Sequence, residues 1–255
     1  GHWTVTTSDM VRATNRFFLS GVNHMFFHGT CYSPADAEWP GWLFYAATQV
    51  NNRNPLWREL PALFKYIERC QSVMQSSTPQ NDLLVYWPYY DVAAGEGRLF
   101  NHIGVHSESV WFGKEPVAGL SRELVSAGYT FDFISDKQLS DCKIAGDRII
   151  TSGGAEYKAL IVPKTKYIPL NTLDNCRKLT AEGGKILFDR SLPESVPGIN
   201  DLEEREKSLN EIKSQFDEQN CVGDVVQLLN NSGIAGERSL AEKGFDFIKM
   251  KMDGK

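Results

Sequence analysis

The hydrophobic pattern of the N-terminal third predicts two helices with a buried strand between them. Apolar side chains recur at helical spacing over residues 10–20, and Gly21 provides the stop. The short apolar run 22–27 then predicts a buried strand. A second amphipathic helix is predicted over 56–74, and the polar stretch 76–82 after it is typical of a linker. Because no strand precedes the first helix, either the chain is truncated or its opening unit is unusual.

The rest of the chain alternates apolar strands with helices, as parallel α/β proteins do. The predicted elements are strand 83–87, helix 116–127, strand 129–134, strand 148–151, strand 159–162, helix 170–181, strand 185–188, and helices over 203–216 and 224–230. This order predicts a doubly wound parallel sheet of the flavodoxin-like type. The alternating tail 245–252 predicts one more strand.

A loop rich in aromatic side chains follows the first predicted strand and is the candidate site. Its rings are Tyr32, Trp39, Trp42, Phe44 and Tyr45, and His28 stands at the strand end. Parallel α/β scaffolds place ligand sites where a strand ends in a loop. Aromatic rings also pack against the apolar faces of sugars. The residues alone leave Trp39, Trp42 and Trp87 open between substrate platforms and packing.

The histidines do not predict a metal site. On a strand, His24 and His28 would lie roughly 13 Å apart, too far to share one ion. We interpret His24 as a hydrogen-bonded core residue, whereas His28 stays open between substrate contact and structure. His102 and His106 fall in a loop where a structural role is the simpler interpretation.

Carboxylates near the predicted strand ends do not form a recognisable catalytic pair. Glycoside hydrolysis needs two carboxyl groups about 5–10 Å apart. The candidates are Asp36, Glu38, Asp91, Glu96 and Glu108. None follows a clear barrel strand within apolar surroundings, so we interpret all five as loop charges and predict no catalytic residue.

Motifs for cysteine and phosphate chemistry are also missing from the sequence. The five cysteines, none of them in a CxxC pair or a Gly-x-Cys-x-Gly turn, are Cys31, Cys70, Cys142, Cys176 and Cys221. We interpret them as structural thiols. Gly95-Glu96-Gly97 lacks the third glycine of a dinucleotide fingerprint, and no P-loop occurs.

Composition excludes two kinds of partner. The net charge of -5 and the pI near 5.6 argue against nucleic acid, because phosphate binding needs a basic face. No apolar run approaches the roughly 20 residues of a membrane helix. All six tryptophans and all five histidines precede residue 112, which favours two regions with different roles.

Several motifs resemble glycoside hydrolase family 106, the α-L-rhamnosidase-like family. Those that resemble the end of its catalytic (β/α)8 barrel are NHMFFHGTCYSP at 23–34, WPGW at 39–42 and PLW at 55–57. Those similar to the flavodoxin-like domain after that barrel are DLLVYWPYYD at 82–91, GYTFDFIS at 128–135, YKALIVP at 157–163 and GGKILF at 183–188. A comparable domain follows the barrel in β-galactosidases with a trimerisation domain.

The resemblance implies that this chain is a C-terminal part of a bacterial glycosidase. Residues 1–80 would be the last α/β elements of an incomplete barrel, 81–244 a flavodoxin-like (amidotransferase-like) bracing domain, and 245–255 the truncated start of a further β region. A full barrel needs about 250 residues, so the catalytic glutamates would lie upstream in the same polypeptide. The chain by itself is then expected to be catalytically silent.

The resemblance also implies a sugar-binding role. His28, Tyr32, Trp39 and Trp42 match the family's pattern at the end of the last strand and would shape the sugar subsite. Calcium is linked to the family, but no oxygen-rich ligand motif for it occurs here, and no other cofactor is evident. A periplasmic or secreted protein is implied, although the first ten residues are not a signal peptide.

Two alternatives stay open. A non-catalytic carbohydrate-binding or oligomerisation module of flavodoxin-like fold, able to form a homo-oligomer, would be complete as written. An amidotransferase-like enzyme would require one selectively reactive cysteine. Upstream sequence with glutamates at strand ends would support the glycosidase, whereas a start codon near residue 1 would support the module.

Overall fold

The computed structural model describes residues 3–95, 104 and 108–252, and the chain divides into two compact units. Unit 1 comprises residues 1–79 with 250–255, and unit 2 comprises residues 80–249. No described helix is long and apolar enough to cross a membrane.

The helices and strands are numbered in chain order. The helices are α1 (Thr7–Leu19), α2 (Leu60–Gln75), α3 (Tyr89–Ala93), α4 (Glu108–Trp111), α5 (Pro116–Ser126), α6 (Asp136–Ser140), α7 (Leu170–Ala181), α8 (Leu202–Lys213), α9 (Glu218–Cys221), α10 (Val225–Asn231) and α11 (Arg238–Ala241), with a 3-10 helix at Pro55–Arg58. The strands are β1 (Ser77–Pro79), β2 (Leu83–Tyr86), β3 (Phe131–Ile134), β4 (Lys143–Ala145), β5 (Arg148–Ile150), β6 (Glu156–Tyr157), β7 (Ala159–Val162), β8 (Ile186–Asp189), β9 (Val222–Gly223) and β10 (Met250–Met252).

Both predicted helices of unit 1 are confirmed. Helix α1 begins at a capping box, in which Thr6 and Asp9 satisfy each other's backbone N–H groups. Its buried residues, Met10, Thr14 and Phe18, recur every fourth position and form one face. Helix α2 carries a proline in its first turn, where the missing N–H costs nothing, and ends at Ser76.

The predicted buried strand over 22–27 is wrong. The structure has no strand over these residues, and the side chain of Phe26 is 84% exposed. Two glutamines of α2 bind its backbone instead: Met25 N donates to Gln71 Oε1 (2.6 Å), and Gln75 Nε2 donates to Asn23 O (2.7 Å). A strand needs a neighbouring strand for its backbone hydrogen bonds, and the described residues place none beside this segment.

The predicted linker and tail also differ from the structure. Within the stretch 76–82, β1 pairs antiparallel with β10, with Ser77 opposite Met252. Asp82 is buried rather than solvated, because it binds two lysines, Lys158 and Lys249. Strand formation in the tail is confined to β10, so the prediction over 245–252 was too long.

Unit 2 is a mixed α/β structure with a five-stranded parallel sheet in the order β3-β2-β7-β8-β9. Strands β2, β7 and β8 are buried along their whole length because helices cover both faces. One face packs against α6, α7 and α8, and the other packs against α5 and α10. The predicted strands and helices that build this sheet are confirmed.

A small antiparallel sheet, β4-β5-β6, was not predicted. The predicted strand 148–151 is its middle strand, β5, and Ile149 on it is fully buried in the core. Its neighbours are only two or three residues long, which is too short for a periodic signal.

Candidate functional site

The aromatic loop, residues 28–45 of unit 1, places its rings in solvent. The predicted site residues Tyr32, Trp39 and Trp42 are 83%, 64% and 62% exposed, and His28 is exposed as well. Exposed aromatic side chains grouped on one loop are typical of a binding surface. Rings exposed to water do not stabilise the fold, so a group of them indicates another role.

One arginine fixes the loop that carries the tryptophans. The Arg53 guanidinium donates to Ala37 O (2.7 Å) and Pro34 O (3.0 Å). The carbonyl oxygen of Arg53 in turn accepts a hydrogen bond from Trp39 Nε1 (3.0 Å). Because the planar guanidinium binds two carbonyls at once, it holds the loop in a single geometry.

Ser33 and Gly41 hold the backbone beneath Trp42. The Trp42 backbone N–H donates to Ser33 Oγ at 2.9 Å. Gly41 has a φ of +86°, and a Cβ atom there would come within 2.5 Å of that hydroxyl. Only glycine fits both the conformation and the close approach.

The other rings form separate contacts. The Trp3 ring lies 5.5 Å from that of Trp39 and is tilted by 42°. His28 packs against Phe44 at 5.1 Å with its ring nearly perpendicular. Within the described part of the chain, no ring contact joins His28 or Tyr32 to the two tryptophans. Trp39 and Trp42 therefore lie on the part of the loop held by Arg53 and Ser33, whereas His28 packs separately against Phe44.

Arg53 and Ser33 were not predicted as site residues. A signal for Arg53 was present, because it is the only lysine or arginine between residues 17 and 57. A single cation among carbonyl-rich loops suggests an internal hydrogen-bond donor. Ser33 carried no comparable signal.

Arg53→Ala is expected to release the loop. Two carbonyls would lose a charged donor, which costs about 2 kcal/mol and speeds amide exchange about 30-fold. Hydrogen exchange at Ala37, Gly41 and Trp42, whose N–H groups are bonded within the loop, measures this directly. Exchange rates unchanged from the wild type would contradict the role assigned to Arg53.

Two further variants serve as controls for that measurement. Arg53→Lys should be intermediate, because an ammonium cannot span both carbonyls. Arg58→Ala, at an exposed arginine of the nearby 3-10 helix, should leave exchange in the loop unchanged.

His24 does not occupy the core position that was predicted. It is exposed, and its ring stacks on Phe26 at 4.5 Å. No three His, Cys, Asp or Glu side chains form a metal-binding group among residues 3–95, 104 and 108–252. These residues thus lack the carboxylate cluster that calcium prefers.

The predicted carboxylates are dispersed. Asp36 and Glu38 are exposed in the aromatic loop, and Glu108 begins α4. Asp91 lies in unit 2 and accepts three hydrogen bonds there. Trp87, also in unit 2, packs against the rings of Phe112 and Phe133. Predictions at Glu96, His102 and His106 lie outside the described residues.

Three cysteines are unsuited to nucleophilic chemistry. Burial raises the pKa of Cys142 to about 11, of Cys176 to about 12 and of Cys221 to about 11. Each thiol therefore stays protonated at neutral pH, whereas a nucleophile must be a thiolate.

Comparisons with known proteins connect the chain to glycosidases. A family model described as alpha-L-rhamnosidase, glycoside hydrolase family 106, matches residues 1–231. A protein of Formosa agariphila described as "Putative beta-glucuronidase" is 26% identical over 200 residues, which cover 78% of this chain and 15% of that protein. The structure of a rhamnosidase from Novosphingobium sp. PP1Y has a TM-score of 0.68 at 19% identity, and the match covers 92% of this chain and 22% of that one. The chain thus spans less than a quarter of the length of these relatives.

Proposed function

The chain belongs to glycoside hydrolase family 106, the α-L-rhamnosidase family, and on this premise we propose that it forms part of a rhamnosidase-like glycosidase. In this proposal the aromatic loop is one wall of the sugar subsite. The observation that carries it is the pair Trp39 and Trp42, whose indoles are exposed while Arg53 and Ser33 fix the backbone beneath them. Such a surface is preorganised to pack against a sugar ring at little entropic cost.

The segment 22–28, which forms no strand in this chain, is proposed to become the last strand of a (β/α)8 barrel when the remaining polypeptide supplies neighbouring strands. It lies between α1 and α2 in the order of a barrel repeat, and Phe26 on it is exposed. Two of its backbone groups, Met25 N and Asn23 O, bond to glutamine side chains rather than to a strand, which leaves room for strands from the remaining polypeptide. The aromatic loop would then stand at the carboxyl end of a barrel strand, where barrel enzymes bind substrate.

The catalytic carboxylates are proposed to lie on other strands of that barrel, outside this chain. Asp36 and Glu38 are the carboxylates of the aromatic loop, and both are exposed to solvent rather than placed in an apolar site. A general acid needs a raised pKa, which requires burial or a nearby negative charge. We therefore assign His28, Tyr32, Trp39 and Trp42 to binding.

Unit 2 is proposed as the flavodoxin-like domain of the same glycosidase. Numbered by chain order within the sheet, its strands run 2-1-3-4-5, which is the flavodoxin-like order. The proposed domain limits are 1–80 and 81–244, with 245–255 opening a further β region.

The charges of the loop favour a neutral sugar. Residues 22–50 contain no lysine or arginine, and their two carboxylates, Asp36 and Glu38, would repel an anion. Arg53 is already bound to Pro34 and Ala37. A uronic acid needs a cation to bind its carboxylate. The proposed substrate is therefore a neutral sugar such as rhamnose, whose methyl group suits an aromatic surface.

The test uses the full-length polypeptide that contains this chain. We expect Trp39→Ala and Trp42→Ala each to lower kcat/KM for an aryl α-L-rhamnoside about tenfold, since losing about 50 Å² of apolar contact costs about 1.4 kcal/mol. Trp57→Ala, at an exposed tryptophan of the 3-10 helix, is the matched control and should keep wild-type kinetics.

Two results would contradict the proposal. Unchanged kcat/KM in the Trp39→Ala, Trp42→Ala double variant would exclude these rings from the sugar subsite. Faster turnover of an aryl β-D-glucuronide than of the rhamnoside would exclude the neutral-sugar assignment.

A further inference from the structure

The sheet of unit 2 has a switch point between β2 and β7. From β2 the chain moves to β3 on one side, then crosses to β7 on the other side of β2. In open doubly wound sheets, ligands bind outside the carboxyl ends of the two strands at this point. Phosphate groups are common occupants there, held by backbone N–H groups.

A carboxylate of the chain itself stands at this point. Asp91, in helix α3 just after β2, accepts hydrogen bonds from the turn that follows β7. Its Oδ2 accepts from Thr165 Oγ1 (2.7 Å) and from Lys166 N (2.8 Å). Its Oδ1 accepts from Tyr167 N (2.7 Å). Thr165 is 2% exposed, so its hydroxyl has little access to water.

The donors have the form of an anion site. Two successive backbone N–H groups and one hydroxyl converge on a single negative group, as they do in sites that bind phosphate. We propose that the turn 165–167 is an oxyanion-binding nest of the phosphate or sulfate type, and that Asp91 occupies it permanently. This inference is independent of the sugar-binding proposal.

Asp91 limits what unit 2 can bind at the switch point. With Asp91 in place, the three donors of the nest are occupied, and a second negative charge would be repelled. These three donors are therefore not available to a phosphate ligand at the switch point. The carboxylate instead ties α3 to the turn after β7.

Removing the carboxylate should open the site. In Asp91→Ala the two N–H groups lose their acceptor and the Thr165 hydroxyl keeps only its longer bond to Tyr167 O (3.3 Å), which destabilises the fold. An added oxyanion can replace the lost acceptor and restore stability. The wild type offers no such vacancy, so phosphate should affect it only through ionic strength.

The experiment measures anion binding by the 255-residue chain. Thermal unfolding is recorded in chloride, sulfate and phosphate at equal ionic strength, and inorganic phosphate is titrated calorimetrically. We expect Asp91→Ala to melt below the wild type in chloride and to regain stability in phosphate. Its phosphate Kd should be at least about tenfold lower than that of the wild type.

Two control variants make the test specific. Asp147→Ala removes the same charge from an exposed position and should leave phosphate binding at the wild-type level. Thr165→Val in the Asp91→Ala background removes one donor and should weaken phosphate binding again.

Each result of the phosphate experiment either supports or overturns the proposed nest. Phosphate binding by Asp91→Ala but not by Asp147→Ala supports the nest. Equal phosphate affinity in the wild type and Asp91→Ala overturns it. If Asp91→Ala is unfolded in chloride, refolding in phosphate supports the proposal. Failure to refold, together with a folded Asp91→Ser variant that does not bind phosphate, overturns it, because serine is too short to fill the nest.

Discussion

Asp82→Asn is expected to destabilise unit 2 by about 3 kcal/mol, because it removes the centre of a buried charge network. Asp82 is 4% exposed, and its two oxygens accept from Lys158 Nζ (2.7 Å) and Lys249 Nζ (2.6 Å). Lys249 also lies 3.2 Å from Glu237 Oε1. We expect the lower end of the range for broken buried pairs, since water reaches both lysines in part.

The pKa of Asp82 gives this prediction a pH dependence. Burial alone would raise that pKa, but the hydrogen bonds from Lys158 and Lys249 outweigh burial and hold it below its usual value. A depressed carboxyl pKa contributes stability above the unfolded pKa, about 3.9, and this contribution is lost as the pH falls through the folded pKa. The wild type should therefore lose its advantage over Asp82→Asn below about pH 4.

Urea unfolding of both proteins between about pH 7 and about pH 3 measures the difference in the free energy of unfolding. Asp147→Asn is the control, because Asp147 pairs with Arg148 on the surface with its side chain 85% exposed. That variant should differ from the wild type by less than about 0.5 kcal/mol. A difference for Asp82→Asn that is as small, or that is independent of pH, would contradict the assigned role.

The longer helices and the parallel strands β2, β3, β7 and β8 could be predicted because their signals are local. Helix α5 starts with Pro116 and ends before Gly128, whose φ is +83°, as expected of a helix start and stop. Strands β2, β7 and β8 are continuous apolar runs because the sheet is covered on both faces. A window of a few residues contains all of this information.

Segment 22–27 could not be predicted, because its conformation depends on its neighbours. The apolar run is that of a buried strand, yet burial and backbone pairing both require other elements beside it. The described residues supply no strand: Gln71 and Gln75 of α2 bond to its backbone, and Phe64 of α2 packs against Phe27. The apolar pattern therefore indicates a strand, but the described residues lack the neighbouring strand with which it would pair.

The loop position of the aromatic residues could be predicted, whereas the contacts that support the loop could not. Tyr32, Trp39 and Trp42 were recognisable by residue type and by their place in a loop. Arg53 acts through carbonyls 16 and 19 positions earlier in the chain. Contacts over such separations depend on the path of the loop, which composition and periodicity do not report.

Close backbone packing in unit 2 leads to a second large effect, at Gly236. The segment around this residue lies against the end of α5: Glu237 N donates to Gly128 O (2.8 Å), and Tyr129 Oη donates to Ile234 O (2.7 Å). A Cβ atom at Gly236 would come within 2.3 Å of Ala127 O. The obstructing atom belongs to the backbone, so no side-chain rotation can relieve the clash.

Gly236→Ala is therefore expected to destabilise unit 2 by about 3 kcal/mol, as the two backbone segments move apart. Gly119→Ala is the matched control: Gly119 lies inside α5, and a methyl group added there would meet no heavy atom within 4 Å. There alanine should raise stability by about 0.5–1 kcal/mol, because it favours the helix. Urea unfolding of the two variants should thus shift in opposite directions from the wild type. Since the substitution is the same, shifts of the same sign would show that helix preference, and not the approach of the backbones, decides the outcome at Gly236.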